Sequence, residues 1–330
     1  MRASVIRAFN RPWVIEERAR PEPGDGQVLL RVRASGMCGT DLHVSHGFMK
    51  VTPPIVAGHE AVGEVVACGA GVTLAIGDRV GVAWVQRGCG HCRWCAEGRA
   101  IHCREVVTWM DVGGGHAEYM LAYADACTVL PVALSYEAAA PMFCAGYTVV
   151  SALRAADARP GERCAVLGLG GLGHLAIQFA KAFGLEVVAL TSSDDKADDA
   201  RRFGADDAVV IDSHAGRKLD KRGGADVIVS TTNSARQLAE VITGLRPRGR
   251  LVNCGVPDGP LMLDATELMS IQGRFISVLQ DRHEDLLEAL TLTAAGRVKP
   301  AIETYPLEAH NDVLDKLRAG TVRYRAVLVP

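Results

Sequence analysis

The 330-residue sequence has no surplus of charge, since 36 lysines and arginines stand against 38 aspartates and glutamates. A chain so balanced builds no basic stripe for a phosphate backbone, which argues against nucleic acid as a partner. It also lacks an uncharged apolar run of membrane-spanning length, so no membrane association is expected. The most apolar stretch, Cys164 to Ala180, is glycine-rich and interrupted by His174 and Gln178. Met1 to Asn10 carries Arg2 and Arg7 with neither an apolar core nor a small-residue cleavage site, so no secretory leader is expected and the cytoplasm is the expected compartment. Low-complexity tracts and repeats of solenoid period are missing as well.

What is there fits a compact enzyme: 48% hydrophobic residues, 22% charged, and 35 glycines. The length exceeds what one hydrophobic core usually organises, so two domains flanking a ligand cleft are expected. Short strands, Val28 to Val32 and Ala61 to Val66, broken by glycine and proline turns, predict a β-rich first domain. The pattern changes near Gly146. Strands predicted over Cys164 to Leu167, Val187 to Leu190, Ala208 to Ile211, Val227 to Ser230 and Leu251 to Asn253 alternate with helices over Leu172 to Phe183, Lys196 to Phe203 and Ala235 to Leu245. Such alternation implies parallel strands with crossover helices, an α/β class with a doubly wound sheet. Two further amphipathic helices, Glu284 to Ala295 and Asn311 to Ala319, are expected to pack back on the first domain. The predicted division is 1–147, 148–280 and a returning segment 281–330.

Of ten cysteines, four fall in a C-x2-C-x2-C-x7-C array: Cys89, Cys92, Cys95 and Cys103. Glycines on either side let the sulfurs converge on a zinc ion at about 2.3 Å, and four protein ligands leave no open position, so this site is structural. The interleaved His91 and His102 read as bystanders. Cys68, Cys127, Cys164 and Cys254 are scattered and read as small buried apolar residues.

A second set is discontinuous: Gly36-Met37-Cys38-Gly39-Thr40-Asp41-Leu42-His43, then Gly58-His59-Glu60, then Phe143-Cys144-Ala145-Gly146-Tyr147-Thr148. Taken singly, each Cys or His is more readily a packed core residue. Together with the cysteine lobe, these stretches resemble the zinc-containing branch of the medium-chain dehydrogenase/reductase family, and the resemblance covers nearly the whole chain. It implies a GroES-like catalytic domain joined to a Rossmann domain, two Zn2+ per chain, a nicotinamide dinucleotide, and a small-molecule alcohol or aldehyde as substrate, in a homo-oligomer, dimer or tetramer. It makes Cys38, His59 and Cys144 the ligands of a catalytic zinc that polarises the substrate oxygen as a Lewis acid. It makes Thr40 the proton acceptor and His43 the residue that passes the proton to solvent. Asp41 and Glu60 join the same metal environment as carboxylates that orient a ligating imidazole and tune the charge at the metal.

After the predicted strand Cys164 to Leu167 comes Gly168-Leu169-Gly170-Gly171-Leu172-Gly173, a G-x-G-x-x-G between a strand and a helix, where backbone amides can meet a pyrophosphate. At the end of the next strand, where an acidic residue would hold the adenosine ribose of NAD, the chain has Thr191, followed by Ser192, Ser193 and Lys196. Donors and a positive charge there suit a 2′-phosphate, so NADP is expected; NAD is the alternative if the strand runs on to Asp194 and Asp195. The resemblance adds Thr148 and Val256 near the nicotinamide and Arg325 near the pyrophosphate, and it marks a departure at Gly39, where many relatives carry a basic residue. The resemblance also makes Trp84, Phe48, Trp109 and Met110 candidate walls of an apolar substrate pocket, which favours aliphatic or aromatic primary alcohols and aldehydes over polyols.

Overall fold

The computed structural model describes residues 1–330 and separates into two compact units, one made of Met1–Cys144 with Pro300–Pro330, the other of Ala145–Lys299. In the first, a seven-stranded sheet runs in the order Cys127–Val129, Arg79–Val82, Glu60–Cys68, Gln27–Met37, Arg325–Val329, Ile302–Pro306, with Tyr119–Tyr123 also pairing to Gln27–Met37. Neighbours are antiparallel except the last pair. Gln27–Met37 is paired on both sides, and its inward residues Val28, Leu30, Val32 and Ala34 are buried while Arg31 points out. Val28, Leu30 and Val32 share one core with Trp109, Met120, Leu307 and Val313. Val85–Arg87 pairs with Val107–Thr108, and the loop between them carries the four clustered cysteines.

The second unit is built on six parallel strands in the order Asp207–Val210, Glu186–Thr191, Arg163–Leu167, Ala225–Ser230, Leu245–Asn253, Arg274–Ser277. Counted along the chain this is 3-2-1-4-5-6, the doubly wound order in which the sheet reverses direction beside its first strand. Arg163–Leu167 is buried along its whole length, as a parallel strand covered by helices on both faces must be.

Every strand and helix expected from the sequence is present within a few residues. Among the elements that were not expected are the helix Ala145–Ala155, the short helix Ala215–Asp220 and the edge strand Arg274–Ser277. The first is buried at Ala145 through Leu153, so it has no polar face to reveal a helical period. The expected return at residue 281 is corrected. The helix His283–Ala294 belongs to the second unit, where Ser151 donates to Asp285 at 2.7 Å and Leu286, Ala289 and Leu290 are buried against Ala145–Ala155. Its amphipathic stripe showed that it packs, not on what. Cys68 is also corrected, being exposed rather than buried. No helix is long and apolar enough to cross a membrane.

Candidate metal and dinucleotide sites

Sheet register brings the discontinuous set together. Gly36 pairs with Glu60, and Met37 with Ala326, so Cys38, His59, Glu60 and Arg325 all arrive at one end of the first unit's sheet. Gly36 must lack a side chain, because a Cβ there would lie 2.0 Å from the Glu60 carboxylate. Cys38 then caps the helix Gly39–Ser45: its sulfur accepts from Thr40 N–H at 3.3 Å, and its own N–H donates to Asp41 Oδ2 at 2.9 Å. This reciprocal box fixes the direction of the sulfur. Cys144 enters between the helical turn Ala140–Phe143 and the helix Ala145–Ala155.

Cys38 Sγ lies 3.4 Å from His59 Nε2, His59 Nε2 lies 3.8 Å from Glu60 Oε1, and one ligand atom from each of Cys38, His59, Glu60 and Cys144 lies within 4.8 Å of the others. Tetrahedral zinc with bonds of about 2.3 Å to sulfur and about 2.0 Å to nitrogen sets sulfur and nitrogen about 3.5 Å apart. The residues present therefore fit the ion.

The electrostatics point the same way. A hydrogen bond from Cys144 and the nearby His59 hold Cys38 well below the ordinary thiol value, while sharing that proton and being buried push Cys144 up. Burial opposes a charge on His59, yet the Cys38 thiolate pushes it up to about 9. Burial raises the Glu60 carboxyl, against the pull of Arg325. These groups contend for protons in a closed space, and a divalent cation would remove the contention. Arg325, 3% exposed, forms a buried ion pair with Glu60; burial works to lower its guanidinium and the Glu60 charge raises it.

The cysteine lobe is more open. Cys92 and Cys95 sulfurs lie 3.6 Å apart, Cys103 Sγ accepts from the N–H groups of Cys89 and Glu105 at 3.4 Å each, and all four sulfurs lie within 4.8 Å of one another. That spacing matches the sulfur edge of about 3.8 Å around tetrahedral zinc. The Gly90 N–H favours a Cys95 thiolate, but burial and the crowding thiols push it up to about 11. His91 Nδ1 faces the Cys89 carbonyl at 2.9 Å, and a His91 ring nitrogen also lies within 4.8 Å of Cys89 Sγ and a Glu105 carboxylate oxygen; the His102 ring lies 5.2 Å from that of Trp94.

Thr40 and His43 are half-buried on the ligand helix, and the His43 ring lies 5.3 Å from that of Phe48, which is exposed. Trp84 meets the His59 ring edge-on at 5.1 Å, with Trp109 fully buried behind it at 5.7 Å and Met110 packed on the core.

In the second unit the strand Arg163–Leu167 ends on Gly168, whose φ of +94° favours glycine. Gly170, Gly171 and Leu172 turn the chain into the helix Gly173–Ala182, and a Cβ on Gly173 would lie 2.0 Å from the Gly168 carbonyl. Glu186–Thr191 ends at Thr191, which is buried and donates to the Ser193 carbonyl at 3.1 Å. Ser192 is exposed and Lys196 half-exposed, while Asp194 and Asp195 begin the helix Asp194–Arg202, where Asp195 accepts from Ser193. Thr148 is buried in Ala145–Ala155, and Val256, 40% exposed, lies three residues beyond the end of Leu245–Asn253.

Comparison with known proteins agrees with both units. The alcohol dehydrogenase GroES-like domain matches residues 24–132, and the zinc-binding dehydrogenase domain matches residues 171–295. An alcohol dehydrogenase of Geobacillus stearothermophilus is 40% identical over 99% of both chains. The alcohol dehydrogenase of the archaeon Aeropyrum pernix superposes with a TM-score of 0.93 at 31% identity over 100% of both chains, and a solved NAD-dependent alcohol dehydrogenase gives 0.93 at 28% over 100% of both. The chain is a member of the zinc-containing medium-chain alcohol dehydrogenase family. It is an oxidoreductase of the alcohol dehydrogenase class, and zinc and a nicotinamide cofactor come with that membership.

Proposed function

We propose that this protein interconverts primary aliphatic or aromatic alcohols and their aldehydes with NADP(H), holding two zinc ions per chain. The reading rests on the 3.4 Å approach of Cys38 Sγ to His59 Nε2 beside Cys144. Cys38, His59 and Cys144 hold the catalytic ion, with Glu60 alongside; Cys89, Cys92, Cys95 and Cys103 hold the structural one. When bound, zinc supplies Lewis acidity at the substrate oxygen and the nicotinamide exchanges hydride with the substrate carbon. The Thr40 hydroxyl takes up the alcohol proton, and half-buried His43 hands it to solvent. Bulky, half-buried Trp84 favours an apolar substrate and disfavours a polyol, whose hydroxyls would find few partners.

Gly168, Gly170, Gly171, Leu172 and Gly173 admit the pyrophosphate to the helix start, and Thr148 and Val256 contact the nicotinamide. Arg325, engaged with Glu60, serves the pyrophosphate only by sharing its guanidinium. Thr191, Ser192, Ser193 and Lys196 take the 2′-phosphate. The strand's end at Thr191 supports this, because it leaves no carboxylate at the strand's C-terminal end to repel the phosphate. The NAD-dependent neighbour favours the second reading, NAD. Metal analysis followed by kcat/KM for NADPH and NADH on benzaldehyde and sorbitol tests both choices. NADPH and benzaldehyde are expected to win, and Thr191→Asp is expected to lower the NADPH preference by about 1–2 kcal/mol, roughly five- to thirtyfold. Preference for NADH in the unmodified protein would overturn the phosphate pocket. A dimer or tetramer is expected by light scattering.

A further inference from the structure

Three buried polar atoms near the ligand helix have no hydrogen-bond partner: Asp41 Oδ1, His59 Nδ1 and His116 Nε2. A buried group left unmade costs about 1–3 kcal/mol, so three in one neighbourhood ask for a reason. His116 Nε2 is 3.3 Å from Asp41 Oδ1, and the other oxygen of that carboxylate is held by the Cys38 N–H at 2.9 Å. One carboxylate thus stands between the His116 imidazole and a metal-cluster residue.

His116 is held firmly. Its N–H donates to the Ala57 carbonyl at 2.9 Å, its carbonyl accepts from Ser4 N–H at 2.8 Å, and its Nδ1 lies 2.8 Å from Ser35 Oγ. With Nδ1 turned to the Ser35 hydroxyl, Nε2 is the ring nitrogen that faces Asp41 Oδ1, at 3.3 Å and short of a completed hydrogen bond, while Asp41 Oδ2 accepts from Cys38 N–H. His310 shows what a buried histidine without such a task looks like: its ring nitrogens face the backbone carbonyls of Leu307 and Trp13 at 3.0 and 3.2 Å.

Building on the zinc assignment above, we propose that His116, with Ser35 behind it, is a positioning residue that aims the Asp41 carboxylate, and through it the metal ligand Cys38. His116 against Asp41 Oδ1 keeps the carboxylate from rotating away from Cys38 N–H.

The test compares the unmodified protein with His116→Leu, His116→Asn, Ser35→Ala and His310→Leu. Each is titrated with a zinc chelator, and the visible spectrum is recorded after cobalt exchange. Expected results are a loss of about 10–100-fold in affinity for one of the two ions in His116→Leu, with a shifted cobalt spectrum and the four-thiolate ion retained. Most of the affinity should return in His116→Asn, which keeps a donor, a smaller loss should follow Ser35→Ala, and affinity should be unchanged in His310→Leu. Unmodified affinity and spectrum in His116→Leu, or equal loss of both ions in it, would overturn the proposal. If His116→Leu does not fold, an unchanged spectrum and affinity in Ser35→Ala overturns it. Should Cys38→Ser keep as much zinc as the unmodified chain, the ligand assignment falls and the proposal with it, a result distinct from failure of His116 alone.

Discussion

The two metal-fitting clusters of the first unit are built in opposite ways. The cysteine lobe draws its ligands from one loop, Cys89 to Cys103, with three of its four sulfur-bearing residues partly exposed. The second cluster draws Cys38, His59 and Cys144 from separate segments into a space where Arg325 and Glu60 are buried beside them. A local loop closes around an ion at small entropic cost and can be lost without dismantling the sheet. The buried cluster exists only because the strands around it are in register, so its chemistry and the unit's stability share the same residues.

The largest contrast is expected from Cys38→Ser. Turnover should fall about a thousandfold or more while far-ultraviolet circular dichroism and the lobe's zinc stay in place. Wild-type rate in this variant would break the assignment. Next comes Glu60→Gln, which leaves Arg325 buried without a countercharge and should cost about 3 kcal/mol in denaturant unfolding. A stability unchanged by this variant would show that the pair is not coupled to the fold. Cys95→Ser should release the lobe's ion and lower the melting temperature by several degrees, at about 2–4 °C per kcal/mol, with kcat reduced far less than in Cys38→Ser. An equal collapse of kcat would erase the distinction between the clusters.

The smallest effect lies in the second unit and serves as a control without metal. Burial works to raise the Glu162 carboxyl, but Arg250, at 3.0 and 2.7 Å, and the Arg159 N–H outweigh it and hold the group below its ordinary value. Its folded-state pKa is depressed, so its stabilisation is fully present above the unfolded carboxyl value and is lost as pH falls through the folded one. Glu162→Gln should therefore cost about 1 kcal/mol at pH 7 and progressively less as pH falls below about 4, read from denaturant midpoints. A difference independent of pH would contradict the pairing.

The same contrast explains what could be read in advance. The clustering of the lobe's four cysteines was legible because they are neighbours in the chain, and the glycine turn at Gly168 because a strand and a helix flank it. The helix Ala145–Ala155 was missed because a buried helix has no polar face, and Arg274–Ser277 because a short edge strand carries little pattern. His116 left no signal: a lone histidine beside Gly115 looks the same whether it faces a backbone carbonyl or Asp41. Arg325 was expected at a pyrophosphate, and only the pairing of Met37 with Ala326 brought it to Glu60.

By itself the sequence determined the α/β alternation, the four-cysteine loop, the glycine turn and the membership that the joint motifs announced, because each is written in residues close together along the chain. Tertiary structure decided that His283–Ala294 belongs with the parallel sheet, that Thr191 ends its strand, and that Asp41 and His116 meet. Those outcomes depend on strand register and helix packing, which join residues distant along the chain through contacts no local pattern records.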